Sequence, residues 1–369
     1  TARGNRRAPI VHDDLDCAAL LGIYQDVATL LEWETYAYCL MTNHYHLLVE
    51  CPDGGISEAM HVVGKIEGIA AATILFMVGL KDDLVVSTAR VKFVGQLAAI
   101  SFLVFFPEFE LVRLHGFLGI EEIPLGLGYL LAGFIMVAII NSYNLIDGID
   151  GLAAVAGMII GTVYATLFYL AGQHFYVLVS MALVGMLAGF LRYNFSRGHR
   201  KIFMGDSGAL IIGLVIGFLT LKMLSYSGTA IQGLNPENRI LLVLAVLFIP
   251  FFDTTRSILI RLLNKKSPFE PDRNHTHHVL IDAGCTHMQA TILLGFLNAL
   301  VVANFLILSA YLDSWGMSLV MLAIFGLCCW GFDALKKAYP QKLKPEGVKV
   351  KLATKSKKEK NEIQEPDLV

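Results

Sequence analysis

Asn144, Asp147 and Asp150 stand three residues apart in the run Asn144-Leu-Ile-Asp147-Gly-Ile-Asp150-Gly-Leu. If a helix continues through them they share one polar face, and Gly148 and Gly151 leave room for close backbone approach. Such a face suits a diphosphate. Four further polar clusters interrupt an apolar sequence: Lys81-Asp82-Asp83, Phe203-Met-Gly-Asp206-Ser-Gly, Asp253-Thr-Thr-Arg256 and Asp272-Arg-Asn-His275-Thr-His277-His278. Carboxylate oxygens are the ligands Mg²⁺ prefers, and that ion keeps waters and shares phosphate oxygens with a substrate. Phosphoryl transfer asks for this set, because the protein must hold the metal, cancel charge on the phosphoryl oxygens and align the attacking and leaving oxygens. Arg256, Lys92 and the histidine cluster are candidates to supply cations or hydrogen bonds to phosphate.

Each cluster also has a plainer reading. Asp82-Asp83 alone suits a solvated helix end. Asn-x-x-Asp-x-x-Asp suits hydrogen bonding between helices in lipid. Met-Gly-Asp-Ser-Gly suits a turn opening a helix, with Asp206 or Ser207 as its cap. His275, His277 and His278 suggest zinc, yet no Cys or further His lies nearby at ligand spacing. Five clusters on one side of the chain's apolar segments favour a shared site.

Those segments follow from composition. The 369 residues are 55% hydrophobic and only 16% charged, against about 25% charged in soluble domains, which excludes a water-soluble enzyme. A formal charge of -2 gives no reason to expect a nucleic-acid partner. The six cysteines lack C-x-x-C spacing, which argues against a zinc knuckle or disulfide framework. Against the ~20 residues that cross a bilayer, about nine apolar runs stand out: Ile66 to Leu80, Lys92 to Phe106, Leu125 to Tyr143, Gly151 to Ala171, His174 to Leu191, Ser207 to Ser225, Arg239 to Leu262, Met288 to Tyr311 and Trp315 to Phe332. The first is short, and extending it backwards meets Glu67, Lys65, His61 and Glu58. Basic residues crowd alternate connections, from Lys81 and Arg90 through Arg192, Arg197 and Lys265 to the lysines after Phe332, whereas the other connections hold only Arg113 and Arg239. Positive side chains are retained in the cytoplasm, so every polar cluster falls on the cytoplasmic side. The expected fold is an all-α polytopic membrane protein of about nine transmembrane helices.

Three of these motifs carry a family resemblance. Asn144-Leu-Ile-Asp147-Gly-Ile-Asp150-Gly-Leu-Ala, Phe203-Met-Gly-Asp206-Ser-Gly-Ala-Leu and Ser267-Pro-Phe-Glu-Pro-Asp272-Arg-Asn-His275-Thr-His277-His278 resemble the polyprenyl-phosphate N-acetylhexosamine-1-phosphate transferases, and Asp82-Asp83 with Lys92 and Gln96 fits them too. The histidine segment is closer to the undecaprenyl-phosphate N-acetylglucosamine-1-phosphate branch than to the muramoyl-pentapeptide branch. The likeness covers about residues 66–338. It implies attack by a lipid phosphate on the β-phosphorus of a UDP-linked amino sugar, with UMP released and Mg²⁺, or Mn²⁺ in its place, as cofactor. It further implies a multi-pass enzyme of the bacterial inner membrane with a cytoplasmic site, serving cell-wall and lipopolysaccharide synthesis; a homodimer is left open. By the same resemblance Asp206 and Asp147 would bind metal. Asp82 would be the base or phosphate-positioning group beside Asp83, while Lys92, Asn144, Asp147 and Asp150 line the diphosphate site. His275, His277 and His278, with Arg256, would contact phosphates or sugar. Family members begin with two further spans, so residues 65–338 are expected to form the transferase domain without them, and 339–369 a basic cytoplasmic tail. A transporter is the rival class, although its carboxylates should lie at mid-span.

Residues 1–64 differ in composition, with a boundary placed near Gly64. The alternating run Tyr36 to Glu50 reads as a strand, and it sets His44 and His46 on one face, where two imidazoles can grip a metal. With Arg3-Gly-Asn-Arg-Arg before it and Pro52-Asp-Gly after it, this run resembles the HUH-type REP-associated tyrosine transposases. The resemblance implies a small α+β, ferredoxin-like fragment and a metal-dependent DNA-nicking ancestry without the later nucleophilic tyrosine.

Overall fold

The computed structural model describes residues 56–339 except 86–88, 106–108, 197–199, 227–233, 269 and 271; before residue 56 it describes three strands, and side chains are described from Gly68 onward. The strands β1 (Ala2–Arg3), β2 (Glu34–Met41) and β3 (His44–Glu50) form an antiparallel sheet in the order β1-β3-β2. The run expected as one strand is therefore a hairpin, with Met41 opposite His44 and a register shift between Thr35 and Ala37. A two-residue connection of this kind reverses the chain without interrupting the alternation of side chains, so periodicity alone misses it. The rest of the expected ferredoxin-like fragment, and the tail 340–369, lie outside the described residues.

From residue 56 the chain is helical. It runs α1 (Ile56–Leu84), α2 (Ala89–Val104), the hairpin β4 (Arg113–Phe117) and β5 (Ile120–Glu122), α3 (Leu125–Ile146), α4 (Leu152–Leu170), α5 (His174–Asn194), α6 (Gly205–Ser225), a 3₁₀ turn (Pro236–Asn238), α7 (Arg239–Val246), α8 (Phe248–Leu263), α9 (Thr276–Asp282), α10 (His287–Leu308) and α11 (Ser314–Ala338). α1 passes through Gly64 unbroken. Among the described residues six helices, α3 to α6, α10 and α11, are long and apolar enough to cross a membrane, or seven spans if α7 and α8 count as one. This is a polytopic helical membrane architecture. The first two of the nine expected runs are also helical, but α2 has only 16 residues, short of the ~20 a full crossing needs.

Close helix contacts place small residues where backbones meet. A Cβ on Gly79 of α1 would lie 2.5 Å from Ser207 Cα of α6, and one on Gly213 of α6 would lie 2.9 Å from Ile140 Cα of α3. Glycine at such crossings lets the backbones approach and sets which faces meet. α6 is thereby clamped between α1 and α3, and its apolar stretch is 67% buried.

The run expected as a single span from Arg239 to Leu262 is broken: α7 and α8 meet at 72°. Pro250 has no N–H, so the Val246 carbonyl loses its donor four residues on. Asn298 of α10, fully buried, fills the gap. Its Nδ2 donates to Val246 O at 3.2 Å, and its Oδ1 accepts from Ile249 N at 3.1 Å.

Candidate active site

Four helix ends meet at Asp206. α6 opens with Gly205 at φ 66, a conformation that favours glycine, and a Cβ there would also press on the Asp83 carboxylate 3.1 Å away. That carboxylate, from the last turn of α1, accepts from Asp206 N (2.9 Å), Ser207 N (3.1 Å) and Ser207 Oγ (2.5 Å). The cap expected from Asp206 or Ser207 thus comes from another helix. An acid here satisfies N–H groups that the first turn leaves open and opposes the positive end of the helix dipole.

Capping by Asp83 frees the Asp206 side chain to face the site. Its Oδ1 accepts from Asn144 Nδ2 at 2.6 Å and from Lys92 Nζ at 2.9 Å. Lys92 also bridges to Asp82 Oδ2 at 2.7 Å. One turn deeper, Gln96 of α2 and Asn141 of α3 exchange amide hydrogen bonds at 2.9 and 3.2 Å, which fixes the two helices that carry Lys92 and Asn144.

The Asn-x-x-Asp-x-x-Asp run is not one helical face. α3 stops at Ile146, and Gly151, at φ 80, opens α4 with its Cα against the Phe195 ring, where a Cβ has no room. The three side chains therefore diverge. Asn144 reaches Asp206, whereas Asp150 meets Lys201 Nζ at 2.7 Å and His287 Nδ1 at 3.2 Å. Burial acts to raise the Asp150 pKa, but Lys201 and His287 outweigh it and hold the carboxyl below its ordinary value. Asp147 lies between, and burial, reinforced by the charges of Asp206 and Asp150, pushes its carboxyl up to about 7.

The histidine segment is held from behind by α8. Asp253 accepts from Thr276 N (2.5 Å), Thr276 Oγ1 (2.7 Å) and His275 Nδ1 (2.6 Å). Arg261 forks onto Asp272 at 2.8 and 3.0 Å and donates to Pro268 O at 2.7 Å. Burial would raise the Asp272 pKa, yet Arg261 and Asn274 bring it down to about 2. Arg256, expected among the phosphate contacts, is buried and donates instead to Asn274 O (2.6 Å) and Asp333 Oδ1 (2.5 Å). His275 is likewise engaged with Asp253.

His277 is the histidine that meets the other cluster. Its Nε2 lies against Gly148, so close that a Cβ there would overlap the ring. Burial, opposed by Asp253 and reinforced by His278 and His275, lowers its pKa to about 4. Its Nδ1 is buried with no hydrogen-bond partner among the described residues. His278 is half-buried, and its ring lies 4.4 Å from that of His277. His44 and His46 alternate along β3, opposite Met41 and Cys39 of β2, with their side chains outside the described set.

Lys201, His287 and Asp333 join these clusters without having been candidates. Lys201 stands two residues before Phe203-Met-Gly-Asp206, a proximity that was legible; His287 and Asp333 arrive from distant helices and carry no local signal.

Mg²⁺ fits the carboxylates. Asp206 Oδ2 and both oxygens of Asp147 have no hydrogen-bond partner among the described residues. Burial first, and then the charges of Asp206 and Asp150, raise the Asp147 pKa, and a cation bound there would lower it again. No three His, Cys, Asp or Glu side chains among the described residues gather closely enough to cage an ion. The protein can offer two carboxylates, and phosphate oxygens and water would complete the shell, the usual pattern for Mg²⁺.

The chain is 35% identical over 244 residues to the decaprenyl-phosphate N-acetylglucosaminephosphotransferase of Mycolicibacterium smegmatis, covering 61% of this chain and 59% of that protein. It is 33% identical over 250 residues to the protein of the same name from Mycobacterium tuberculosis, with 61% and 59% covered. It is 29% identical over 277 residues to the undecaprenyl-phosphate alpha-N-acetylglucosaminyl 1-phosphate transferase of Escherichia coli, with 73% and 72% covered. The chain spans about 60% of the length of the two mycobacterial relatives. Residues 66–224, which carry Asp82, Asp83, Lys92, Asn144, Asp147, Asp150 and Asp206, match the model of Glycosyl transferase family 4.

Proposed function

We propose that this chain belongs to the polyprenyl-phosphate sugar-1-phosphate transferases and moves N-acetylglucosamine 1-phosphate from its UDP ester to a polyprenyl phosphate. The observation that carries the reading is the meeting of Asp83, Lys92, Asn144 and Asp206 from four helix ends, with Asp147 beside them. In the reaction an oxygen of the lipid phosphate bonds to the β-phosphorus, the bond from that phosphorus to the bridging oxygen breaks, and UMP leaves with the electron pair. Mg²⁺ held by Asp206 and Asp147 would neutralise charge on the diphosphate oxygens. Lys92, already shared between Asp82 and Asp206, is placed to turn toward a phosphate oxygen, while Asp82 positions the attacking phosphate or takes its proton. Asn144 orients Asp206. Asp150 and Lys201 border the same diphosphate. His277, neutral at ordinary pH, offers hydrogen bonds rather than charge, and His275 and Arg256 hold the segment that presents it.

The domain reading follows: residues 65–338 as the transferase, with α1 and α2 as further membrane elements, 339–369 as a basic tail, and 1–64 as a transposase-like fragment with His44 and His46 as its metal pair. The positive-inside bias puts the site on the cytoplasmic face of the inner membrane. A homodimer is compatible with the exposed apolar helices.

The test is UMP release from UDP-N-acetylglucosamine and undecaprenyl phosphate by membranes carrying the full chain. Activity should need Mg²⁺ or Mn²⁺ and fall about a hundredfold or more in Asp206→Asn. Full activity in that variant, or substrate uptake into vesicles without chemistry, would defeat the reading.

A further inference from the structure

The cytoplasmic end of α11 and the back of the histidine segment enclose a cavity of about 510 Å³ that the proposed reaction does not use. Arg273, Asp282, Asp333, Lys336, Lys337 and Tyr339 line it. Its acids are already paired: Asp282 with Arg273 at 3.1 Å, and Asp333 with Arg256. Lys336 touches only the neutral Asn274 side chain. No carboxylate among the described residues pairs with Lys336 or Lys337, so the cavity carries two uncompensated positive charges.

α11 is also the span least buried by the protein, at 6% of its apolar stretch against 67% for α6. Leu319 (69% exposed) and Trp330 (71% exposed) stand eighteen and seven positions before Lys337, five turns and about two turns away. All three therefore share one face. An acyl chain lying along that face would bring its headgroup to Lys337, and the seven residues from Trp330 give about 10 Å of rise, within one leaflet's depth.

We infer that this cavity is a binding site for the phosphate headgroup of an anionic membrane phospholipid, whose acyl chain lies along the exposed face of α11. Basic pockets at the cytoplasmic ends of spans bind such headgroups. The sugar nucleotide does not compete for it, because His277 faces Gly148 on the other side of the segment while Arg273 and Asp282 face the cavity. The assignment depends on membrane embedding and not on the transferase reading.

Native mass spectrometry of the full chain, supplied with equimolar phosphatidylglycerol and phosphatidylcholine, tests it. The wild type should retain phosphatidylglycerol selectively. Lys336→Ala with Lys337→Ala should weaken that retention about thirtyfold, the product of two lysine contributions near a membrane surface. Arg113→Ala, at the opposite end of the molecule, should leave it unchanged. Lys337→Glu, at an exposed position, gives the same readout if the double variant disturbs the histidine segment. Equal retention of the two lipids, or unchanged retention in the lysine variants, would overturn the inference. Displacement of phosphatidylglycerol by millimolar inorganic phosphate or by UDP-N-acetylglucosamine would overturn it too, since the cavity would then read a free anion or the nucleotide.

Discussion

At the residue scale, the histidine segment touches the Asn-x-x-Asp run through Gly148, which gives that glycine a testable part. Gly148→Ala puts a methyl group onto His277 Nε2, and either the ring or the turn between α3 and α4 must move. Displacements near 1 Å of groups that position a substrate cost on the order of 10²-fold in rate. Turnover in the proposed transfer reaction should fall by about that factor while the thermal midpoint stays within a few degrees, and unchanged turnover would show that the contact is incidental. His277 itself predicts an acid limit. Its folded pKa of about 4 lies below the ordinary ~6.5, so between these values the unfolded chain binds the proton that the folded chain refuses. Stability is therefore full above pH ~6.5 and declines as pH falls toward 4, by at most about 3 kcal/mol. His277→Gln should flatten the loss of thermal midpoint between pH 7 and pH 5. An identical pH slope in wild type and variant would remove His277 from that account.

At the element scale, the bend between α7 and α8 aims the residues that hold the histidine segment. α8 carries Asp253, Arg256 and Arg261, and each grips a different part of residues 268–276. The direction of α8 depends on Asn298, which satisfies both backbone groups left open around Pro250. Asn298→Leu keeps the volume and leaves Val246 O and Ile249 N buried without partners, at a cost of about 1–3 kcal/mol. Lower unfolding midpoints together with loss of turnover are expected; retained turnover and unchanged stability would mean the bend is held by packing alone. The same bend shows what the sequence could not reveal. Ile240 to Phe252 is uniformly apolar, and Pro250 alone is compatible with a mild kink, because the partner that stabilises a sharp break sits about fifty residues later. The acidic motifs were legible because carboxylates are costly beside lipid and so stand out against apolar runs. Their division of labour was not: Asp83 caps a helix more than 120 residues away, Asp150 turns from Asn144 to Lys201, and Arg256 points to Asp333. Strand periodicity located β2 and β3 but not the hairpin between them.

At the scale of the whole molecule, polar groups collect at two ends of a helical bundle, and the two ends differ in charge. One end holds the Asp206 site, Lys201, the histidine segment and Lys336. The other is tied together around the β4–β5 hairpin. There, Leu118 N donates to Ser314 Oγ at 3.0 Å, Asn238 Nδ2 to Leu312 O at 2.9 Å and Tyr226 Oη to Ala171 O at 3.1 Å. Arg113 is the exposed base of this second end. Its 3.5 Å contact with Glu122 joins side chains each more than 60% exposed, so it contributes little to stability and leaves the position free to substitute. On the proposed topology the imbalance of positive charge would keep the Asp206 end in the cytoplasm during insertion, since moving basic connections across the bilayer is disfavoured. In a background with the six native cysteines replaced, Arg113→Cys should react with an impermeant maleimide on intact cells. Arg200→Cys, at the other end and equally exposed to water, should react only after permeabilisation. Labelling of both positions from one side would break the link between the charge pattern and the bundle's two ends, and with it the proposed placement of the Asp206 site on the cytoplasmic face.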